Sequence, residues 1–255
     1  MVSNNDQAGT VQSDRTLLEI INALQELRGA GITELSQHLG YSKSTVHKHV
    51  KTLHQEQYVI KQDGEYNLGF RFLTHGGHVR DRHKLCRLSI KKIREISRET
   101  GEMCVFSVKQ GNYGYFAALT NDSFGVRQDA PLGTRYYLHE NSGGKAILAE
   151  LPDDQIDSVI QEVGLPKQTE NTITSRSELF DRIEKIRERG FAINTEERRK
   201  GINAVAVSIH DSEIGDYGAL TVAGPANRLN EQKLEKHGET LLGAINELEL
   251  EINYS

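Results

Sequence analysis

Residues 33–53 read TELSQHLGYSKSTVHKHVKTL, with two short helical patterns on either side of a tight turn. The first pattern is predicted to run from Thr33, as its cap, to Gly40, where glycine ends it. The second is predicted to begin at Ser42 and to bury the apolar positions Val46, Val50 and Leu53. Two short helices joined by such a turn are typical of a helix-turn-helix.

The flanking sequence extends this motif in both directions. An amphipathic helix precedes it, with Ser13 or Asp14 as the predicted cap and Gly29-Ala30-Gly31 at its end. After it, a strand-like segment from Tyr58, the turn pair Asp63-Gly64 and a returning segment predict a β-hairpin. A hairpin in this position is a wing, so residues 13–72 are predicted to form a winged helix-turn-helix DNA-binding domain.

The outward face of the second helix has the chemistry that DNA requires. Small hydroxyl side chains near the helix N-terminus suit base edges in the major groove, and lysines suit phosphates. Lys48 is predicted to reach the groove, whereas Lys43 and Lys51 contact the backbone and Lys61 extends from the wing. The predicted DNA contacts are Ser42, Lys43, Ser44, Thr45, His47, Lys48, Lys51 and Lys61.

The charge distribution resolves an apparent conflict with a polyanionic partner. The 255 residues have a net charge of −5. However, residues 1–79 carry 7 basic and 8 acidic side chains, residues 80–98 carry 8 and 2, and residues 99–255 carry 16 and 26. An N-terminal part that is neutral to basic, joined to an acidic remainder, indicates two different tasks. Solvated faces that happen to differ in sign are the alternative.

Residues 73–98 are predicted to be a basic linker helix interrupted at Gly76-Gly77. Its apolar positions need a surface to cover, which favours a role in positioning the second domain and a partner subunit over one in phosphate binding. Residues 99–255 are predicted to form a mixed α/β domain with a mainly antiparallel sheet, which makes the whole fold α+β. Its strands are predicted at 104–109, 113–119, 204–210 and 218–223, with a turn at 211–216. Its helices are predicted after 142–145 through 146–149, from about 177 to 189 and from about 230 onward.

Several motifs in this C-terminal part resemble one family. The stretch GFAINTEE at residues 190–197 is followed after six residues by AVAVSIHD at 204–211. SGGKA at 142–146 and TVAGP at 221–225 occur in the expected order. Together with the winged domain, they make the chain similar to the IclR family of transcriptional regulators over about residues 13–250. Asn194 departs from the family pattern, in which Asp or Ser is usual at this position.

The resemblance implies a GAF-like effector domain that binds a small metabolite, and homodimers or homotetramers on a double-stranded DNA operator. A glycine-rich helix N-terminus suits a carboxylate independently of the resemblance, so the effector is expected to be an organic, sugar or aromatic acid. Ala204 and Ala223 offer only methyl groups where some relatives have Cys or Ser. The predicted effector-binding residues are Ser142, Gly143, Gly144, Asn194, Ile202, Ala204, Thr221 and Ala223.

Other chemistries have little support in the sequence. Lys145 is followed by Ala146, so no phosphate-binding P-loop is present, and no nucleophile elbow occurs. The spacing of His75, His78, His83 and Cys86 matches no standard zinc site. No catalytic residue, cofactor or metal is therefore expected, and a metabolite-processing enzyme or a protein-interaction module with a winged helix are the alternatives. The absence of a signal pattern, a membrane span and a cysteine framework predicts a cytoplasmic protein without membrane partners.

Overall fold

The computed structural model describes residues 9–120, 131–211 and 213–254. The first residues, which lack a signal pattern, and Ser212 of the predicted turn lie outside these ranges. The chain forms two compact units, Met1–Val79 and Arg80–Ser255. Within the described ranges, no helix is long and apolar enough to cross a membrane.

The N-terminal unit is a three-helix core with a hairpin and most of a fourth helix. Its elements are α1 (Gln12–Leu27), α2 (Ile32–Leu39), α3 (Lys43–Gln55), β1 (Val59–Gln62), β2 (Glu65–Leu68) and α4 (Arg71–Arg82). The three helices and the hairpin share one core, formed by Ile20, Ala23, Leu24, Ala30, Leu35, Val46, Val50, Leu53 and Val59. The predicted inner face of α3 and the predicted wing are both present.

The start of α1 differs from the sequence prediction. The helix begins at Gln12 after Val11, and neither Ser13 nor Asp14 caps it. The Val11 carbonyl accepts the backbone N–H groups of Asp14 and Arg15, so the helical hydrogen bonds already begin two residues before Ser13, the first of the predicted caps. The Ser13 hydroxyl instead donates to the Asp14 carboxylate at 3.3 Å.

The cap of α2 is also not the predicted one. Gly31, with extended backbone, precedes the helix, and Thr33 lies within its first turn. The cause is a backbone bridge between Ala30 and Tyr66 of the wing, which holds the chain extended as far as Gly31. The helix can then begin directly at Ile32, with the Gly31 carbonyl accepting the N–H of Leu35.

The predicted interruption at Gly76-Gly77 is wrong, because α4 continues through both glycines. A glycine costs about 1 kcal/mol relative to alanine in a helix interior but does not forbid the helical conformation. The break instead falls at His83, whose extended backbone separates α4 from α5 (Lys84–Thr100).

The C-terminal unit is built on one sheet of six strands, in the order β5-β4-β3-β8-β7-β6, and every ladder is antiparallel. After α5, its elements are β3 (Met103–Gln110), β4 (Tyr113–Leu119), β5 (Arg135–Tyr137), a 3₁₀ turn (Leu138–Glu140), α6 (Ser142–Glu150), α7 (Asp153–Val163), α8 (Arg176–Arg189), β6 (Ala192–Thr195), β7 (Ile202–Asp211), β8 (Asp216–Pro225) and α9 (Glu231–Tyr254). This arrangement confirms the predicted α+β class.

Helices cover both faces of this sheet. Along β7, Val205 and Val207 share a core with side chains of α5 and α9, whereas Ala206 packs with Ala146 of α6 and Ile186 of α8. This alternation follows from the two-residue period of a strand. The residues that pair with Ala206 across the sheet, Thr221 of β8 and Val105 of β3, therefore face the α6 side, as do residues two positions away along each strand.

Candidate functional site

The exposed face of α3 carries most of the side chains predicted to contact DNA. Val46, Val50 and Leu53 are buried at 0 to 4% exposure, so the opposite side of the helix faces away from the core. Thr45 is half-buried at the edge of this face. The exposed predicted contacts are Ser42, Lys43, Ser44, His47, Lys48 and Lys51.

Ser42 organises the N-terminus of α3. Its Oγ accepts the backbone N–H of Thr45 at 3.1 Å, which confirms the predicted N-cap. The same oxygen lies 2.8 Å from Thr45 Oγ1 and 2.9 Å from Ser44 Oγ. Three hydroxyl groups therefore cluster where the helix dipole is positive, and such a cluster suits phosphate oxygens and base acceptors.

The wing has the turn that its sequence predicts. Asp63 and Gly64 both have positive φ, at 52° and 90°, as a two-residue type I′ hairpin requires. Lys61 is exposed on β1, and its Nζ lies 5.4 Å from the ring centroid of Tyr66 on β2. The wing thus exposes the Lys61 ammonium group, which lies within cation–π distance of the Tyr66 ring.

A cavity of about 420 Å³ lies on the α6 side of the C-terminal sheet. Its floor consists of two rows of paired strand residues, Met103, Ala223, Ala204 and Asn194 in one row and Leu119, Val105 and Thr221 in the next. Only Thr221 and Asn194 bring polar side chains to this floor. A ligand lying on the sheet would therefore meet a mainly apolar surface.

The start of α6 lines part of the cavity. Asn141 precedes the helix, and its Oδ1 accepts the backbone N–H of Gly144 at 2.8 Å. Ser142, the first helical residue, is fully buried and lines the cavity. Among the described residues, the Ser142 hydroxyl and the Asn141 amide nitrogen have no hydrogen-bond partner. Two polar groups that can donate hydrogen bonds thus remain available at a helix N-terminus.

The two glycines of α6 do not themselves line the cavity. A Cβ on Gly144 would lie 2.2 Å from the Leu138 carbonyl oxygen, so this glycine allows the 3₁₀ turn to pack directly on the helix. A Cβ on Gly143 would lie 3.1 Å from Thr221 Oγ1. Gly143 therefore sets the separation between α6 and the strand that carries Thr221.

Four charged side chains among the described residues line the cavity: Arg135, Arg198, Arg199 and Glu140. The Arg198 Nε donates to Glu140 Oε1 at 2.9 Å, and its guanidinium lies 4.9 Å from the ring centroid of Phe116. Burial raises the pKa of Glu140, and the charge of Arg198 opposes this shift. Three arginines against one glutamate favour an anion.

Asn194 lies on the floor, but contacts within the chain use its amide group. Its Oδ1 accepts the backbone N–H of Glu197 at 3.1 Å, and its Nδ2 lies 3.4 Å from the Ile202 carbonyl oxygen. These contacts hold the turn between β6 and β7. The same turn carries the cavity residues Arg198 and Arg199.

A buried ion pair joins this turn to α6. Lys145 is fully buried and donates to the Glu197 carboxylate, which is also buried and lies 3.5 Å from Arg182. Burial lowers the pKa of Lys145 to about 8, and the charge of Glu197 limits the shift. An unpaired charge at this depth would be costly, so the pair holds the turn against the helix.

The structure brings six of the eight predicted effector residues to one cavity: Ser142, Asn194, Ile202, Ala204, Thr221 and Ala223. Their role in binding stays a prediction. The sequence motifs do not indicate five further side chains that line the cavity: Phe116, Arg135, Tyr136, Glu140 and Arg198. The adjacent pair Arg198-Arg199 could have indicated cavity-lining residues, because it follows two glutamates and lies between the motif residues 190–197 and 204–211.

Three of the four side chains considered as zinc ligands have other surroundings. The Nε2 of His75 lies 2.6 Å from the Tyr58 hydroxyl, and the Nδ1 of His83 lies 3.0 Å from the Asp216 carboxylate. Cys86 is buried, and burial raises the pKa of its thiol to about 11. In the part of the chain that the structure describes, no three His, Cys, Asp or Glu side chains are grouped as metal ligands.

Known proteins match this chain along most of its length. The family described as "Bacterial transcriptional regulator IclR C-terminal" matches residues 77–249, and the "IclR helix-turn-helix domain" matches residues 15–63. The transcriptional regulator KdgR of Escherichia coli is 28% identical over 251 residues, which are 97% of this chain and 95% of KdgR.

Solved structures share the fold. The Thermotoga maritima IclR structure has a TM-score of 0.80 at 25% identity and covers 94% of this chain and 98% of its own. An IclR homolog from Microbacterium hydrocarbonoxydans, complexed with 4-hydroxybenzoate, has a TM-score of 0.72 at 18% identity. It covers 92% of this chain and 99% of its own, and the likeness is one of fold.

Proposed function

Because this chain belongs to the IclR family of bacterial transcriptional regulators, we propose that α3 and the wing bind operator DNA and that a small organic acid in the cavity changes operator affinity. The matched relatives are transcriptional regulators and not enzymes, so the enzyme alternative is dropped. We assign DNA reading to residues 13–72, connection to 73–98 and effector binding to 99–255. Because the proposed partner is operator DNA, we place the protein in the cytoplasm.

The exposed face of α3 is the observation that carries the DNA-binding part of the proposal. Hydroxyl groups cluster around Ser42 at the helix N-terminus, and Lys48 and Lys51 follow on the same exposed surface. There is no acidic residue between Glu34 and Glu56, so nothing on α3 repels phosphates. An interaction module without DNA would have no need for this combination.

The cavity supports an acidic effector. Among the described residues, the charged side chains that line it are three arginines and one glutamate, and the N-terminus of α6 contributes a positive dipole end. The IclR homolog complexed with 4-hydroxybenzoate shares this fold, which makes small acids the natural first probes. We assign the six predicted effector residues that line the cavity, together with the arginines, to this role.

The proposed mechanism is a shift between arrangements of subunits. The protein acts as a homodimer or homotetramer, because paired recognition helices meet half-sites about 34–36 Å apart or a multiple of this distance. A ligand that binds one arrangement better changes the spacing of the paired winged domains and hence operator affinity. A coupling of about 1–3 kcal/mol changes that affinity by roughly 5- to 150-fold.

The DNA-binding part is tested by Lys48→Ala on duplexes enriched from a random pool by the wild-type protein. We expect a loss of about 1–3 kcal/mol on the enriched sequence and a smaller loss on an unrelated duplex, since a base contact depends on sequence. Lys51→Ala should weaken both duplexes alike and reduce the salt slope by about 1. Gel-shift titrations at fixed salt measure these affinities.

Lys236→Ala is the control, because it removes an exposed lysine from α9 in the other unit. It should bind both duplexes as the wild type does. Unchanged binding by Lys48→Ala would remove α3 from the proposed interface, and equal losses on both duplexes would turn Lys48 into a phosphate contact.

A further inference from the structure

The polar groups of the cavity are unevenly distributed, and several are already in use. The Asn194 amide holds the β6–β7 turn through the Glu197 N–H and faces the Ile202 carbonyl at 3.4 Å. Glu140 accepts the Nε of Arg198 at 2.9 Å. The Asn194 amide and the Glu140 carboxylate are therefore already engaged within the chain.

Three unpartnered polar groups of the described residues line the cavity near the start of α6: the hydroxyls of Ser142 and Tyr136 and the amide nitrogen of Asn141. The Ser142 hydroxyl, in a residue with 0% exposure, and the Asn141 amide nitrogen have no hydrogen-bond partner among the described residues. Both belong to the N-terminus of α6, next to Thr221 across Gly143. A buried polar group without a partner is costly, so a ligand with a compact acceptor group is needed here. A carboxylate provides such an acceptor and matches the positive end of the helix.

The floor of the cavity is mainly apolar. The floor presents the side chains of Met103, Val105, Leu119, Ala204 and Ala223. Phe116 stands beside the floor, with its ring centroid 4.9 Å from that of Tyr136. A flat hydrocarbon body would lie on the sheet and reach these rings, whereas a chain of hydroxyl groups would lose its water contacts there.

We propose that the cavity ligand is a carboxylate with an aromatic body and not a polyhydroxylated sugar acid, an inference that rests on the effector role proposed above. The carboxylate accepts hydrogen bonds from Ser142 and Asn141 at the start of α6. The ring lies on the floor against Val105 and Ala223 and meets Phe116 at its edge. Arg198, held by Glu140, closes the cavity over the ring.

The test compares matched small molecules on the full chain by thermal shift and calorimetry. The probes are benzoate and phenylacetate, the polyhydroxylated acids gluconate and galacturonate, and benzyl alcohol, which keeps the ring without the charge. We expect the two aromatic acids to raise Tm and to bind at least about ten-fold tighter than either sugar acid. Benzyl alcohol should bind at least about ten-fold weaker than benzoate, because it lacks a charged acceptor for α6.

Two variants locate the site. Ser142→Ala should weaken benzoate binding about ten-fold, whereas Ser177→Ala, on the exposed face of α8, should leave it unchanged. Val105→Thr keeps the side-chain shape but places a hydroxyl on the floor, and we expect benzoate binding to fall several-fold. This second variant keeps the test valid if Ser142→Ala folds poorly.

Each remaining outcome overturns the inference. Tighter binding of a sugar acid than of either aromatic acid would contradict the aromatic body and leave the effector role intact. If none of the four acids changes Tm or gives a binding heat, both proposals are contradicted: that the cavity binds an acid and that this acid is aromatic. Equal benzoate affinity in the wild type, Ser142→Ala and Val105→Thr would show that benzoate binds elsewhere.

Discussion

The Ser42 hydroxyl caps α3 and also stands on the face proposed to contact DNA. Its Oγ accepts the Thr45 N–H and lies within hydrogen-bond distance of two further hydroxyls. The sequence predicted this cap, because a serine stood directly before the apolar periodicity. The caps that it predicted for α1 and α2 are wrong. No side chain caps these helices, and the backbone carbonyls of Val11 and Gly31 accept their first hydrogen bonds.

Replacing Ser42 by Ala should separate these two roles. The Thr45 N–H loses its acceptor, so we expect the N-terminal unit to lose about 1 kcal/mol of stability, seen as faster hydrogen exchange at the amides of α3. Ser42→Asp restores a capping acceptor but places a negative charge beside the phosphates. It should therefore recover the slow exchange while binding DNA less tightly than Ser42→Ala. Slow exchange in Ser42→Ala would contradict the cap.

Asn194 shows what the sequence did not reveal at the level of one residue. It stands where Asp or Ser is usual in the family, on a mainly apolar floor. The pattern did not reveal that its amide faces two backbone groups of the β6–β7 turn. Such contacts depend on the path of the turn, and residue identity alone does not give that path.

At the level of elements, long periodic segments were predictable. The three helices of the winged unit, the hairpin, α8, the strands β7 and β8, and α9 all follow from apolar spacing and turn residues. The strands β5 and β6 have only 3 and 4 residues, too short for a period, and their positions depend on pairing with β4 and β7. α7 was missed although Pro152 and two aspartates mark its start.

The 3₁₀ turn before α6 offers a pH test of one element. His139 is buried there, and its Nε2 lies 3.1 Å from the Pro166 carbonyl oxygen. Burial lowers the pKa of His139 below its ordinary 6.5. The unfolded state therefore binds more protons than the folded state just below pH 6.5. The stability from neutral His139 is present above that pH and lost as the pH falls through the lowered folded-state pKa.

His139→Gln removes this titration, and the glutamine amide can still donate to Pro166. We expect the free energy of unfolding, measured in urea at about pH 7 and pH 5, to fall less steeply in this variant than in the wild type. His210→Gln, which removes an exposed histidine of β7, should keep the wild-type slope. A steeper fall in His139→Gln would mean that the protonated imidazole is the favoured form in the folded chain.

At the level of the whole molecule, the net charge of −5 averages over parts with different tasks. Residues 80–98 carry 8 basic and 2 acidic side chains, whereas residues 99–255 carry 16 and 26. Within the acidic part, the cavity nevertheless gathers three arginines against one glutamate. The sequence indicated the division of charge, but not this local reversal, because the arginines come from a short strand and a turn.

The central claim is that occupancy of the cavity and binding of the operator are coupled. The coupling is reciprocal, so the acid must change DNA affinity by the same factor by which DNA changes acid affinity. Gly143→Val tests whether the acid acts through this cavity, since a Cβ at this position already approaches Thr221 Oγ1 to 3.1 Å and a larger side chain would intrude between α6 and the floor. Gly243→Val is its control, because a Cβ on Gly243 of α9 meets nothing within 4 Å.

The most direct measurement is the operator affinity of the full chain with and without a saturating concentration of the acid that raises Tm most. We predict a change of about 5- to 150-fold in the wild type and in Gly243→Val, and no change in Gly143→Val, which still binds the operator. Equal operator affinity of the wild type with and without that acid would contradict the coupling, and a wild-type response in Gly143→Val would place the effector outside this cavity.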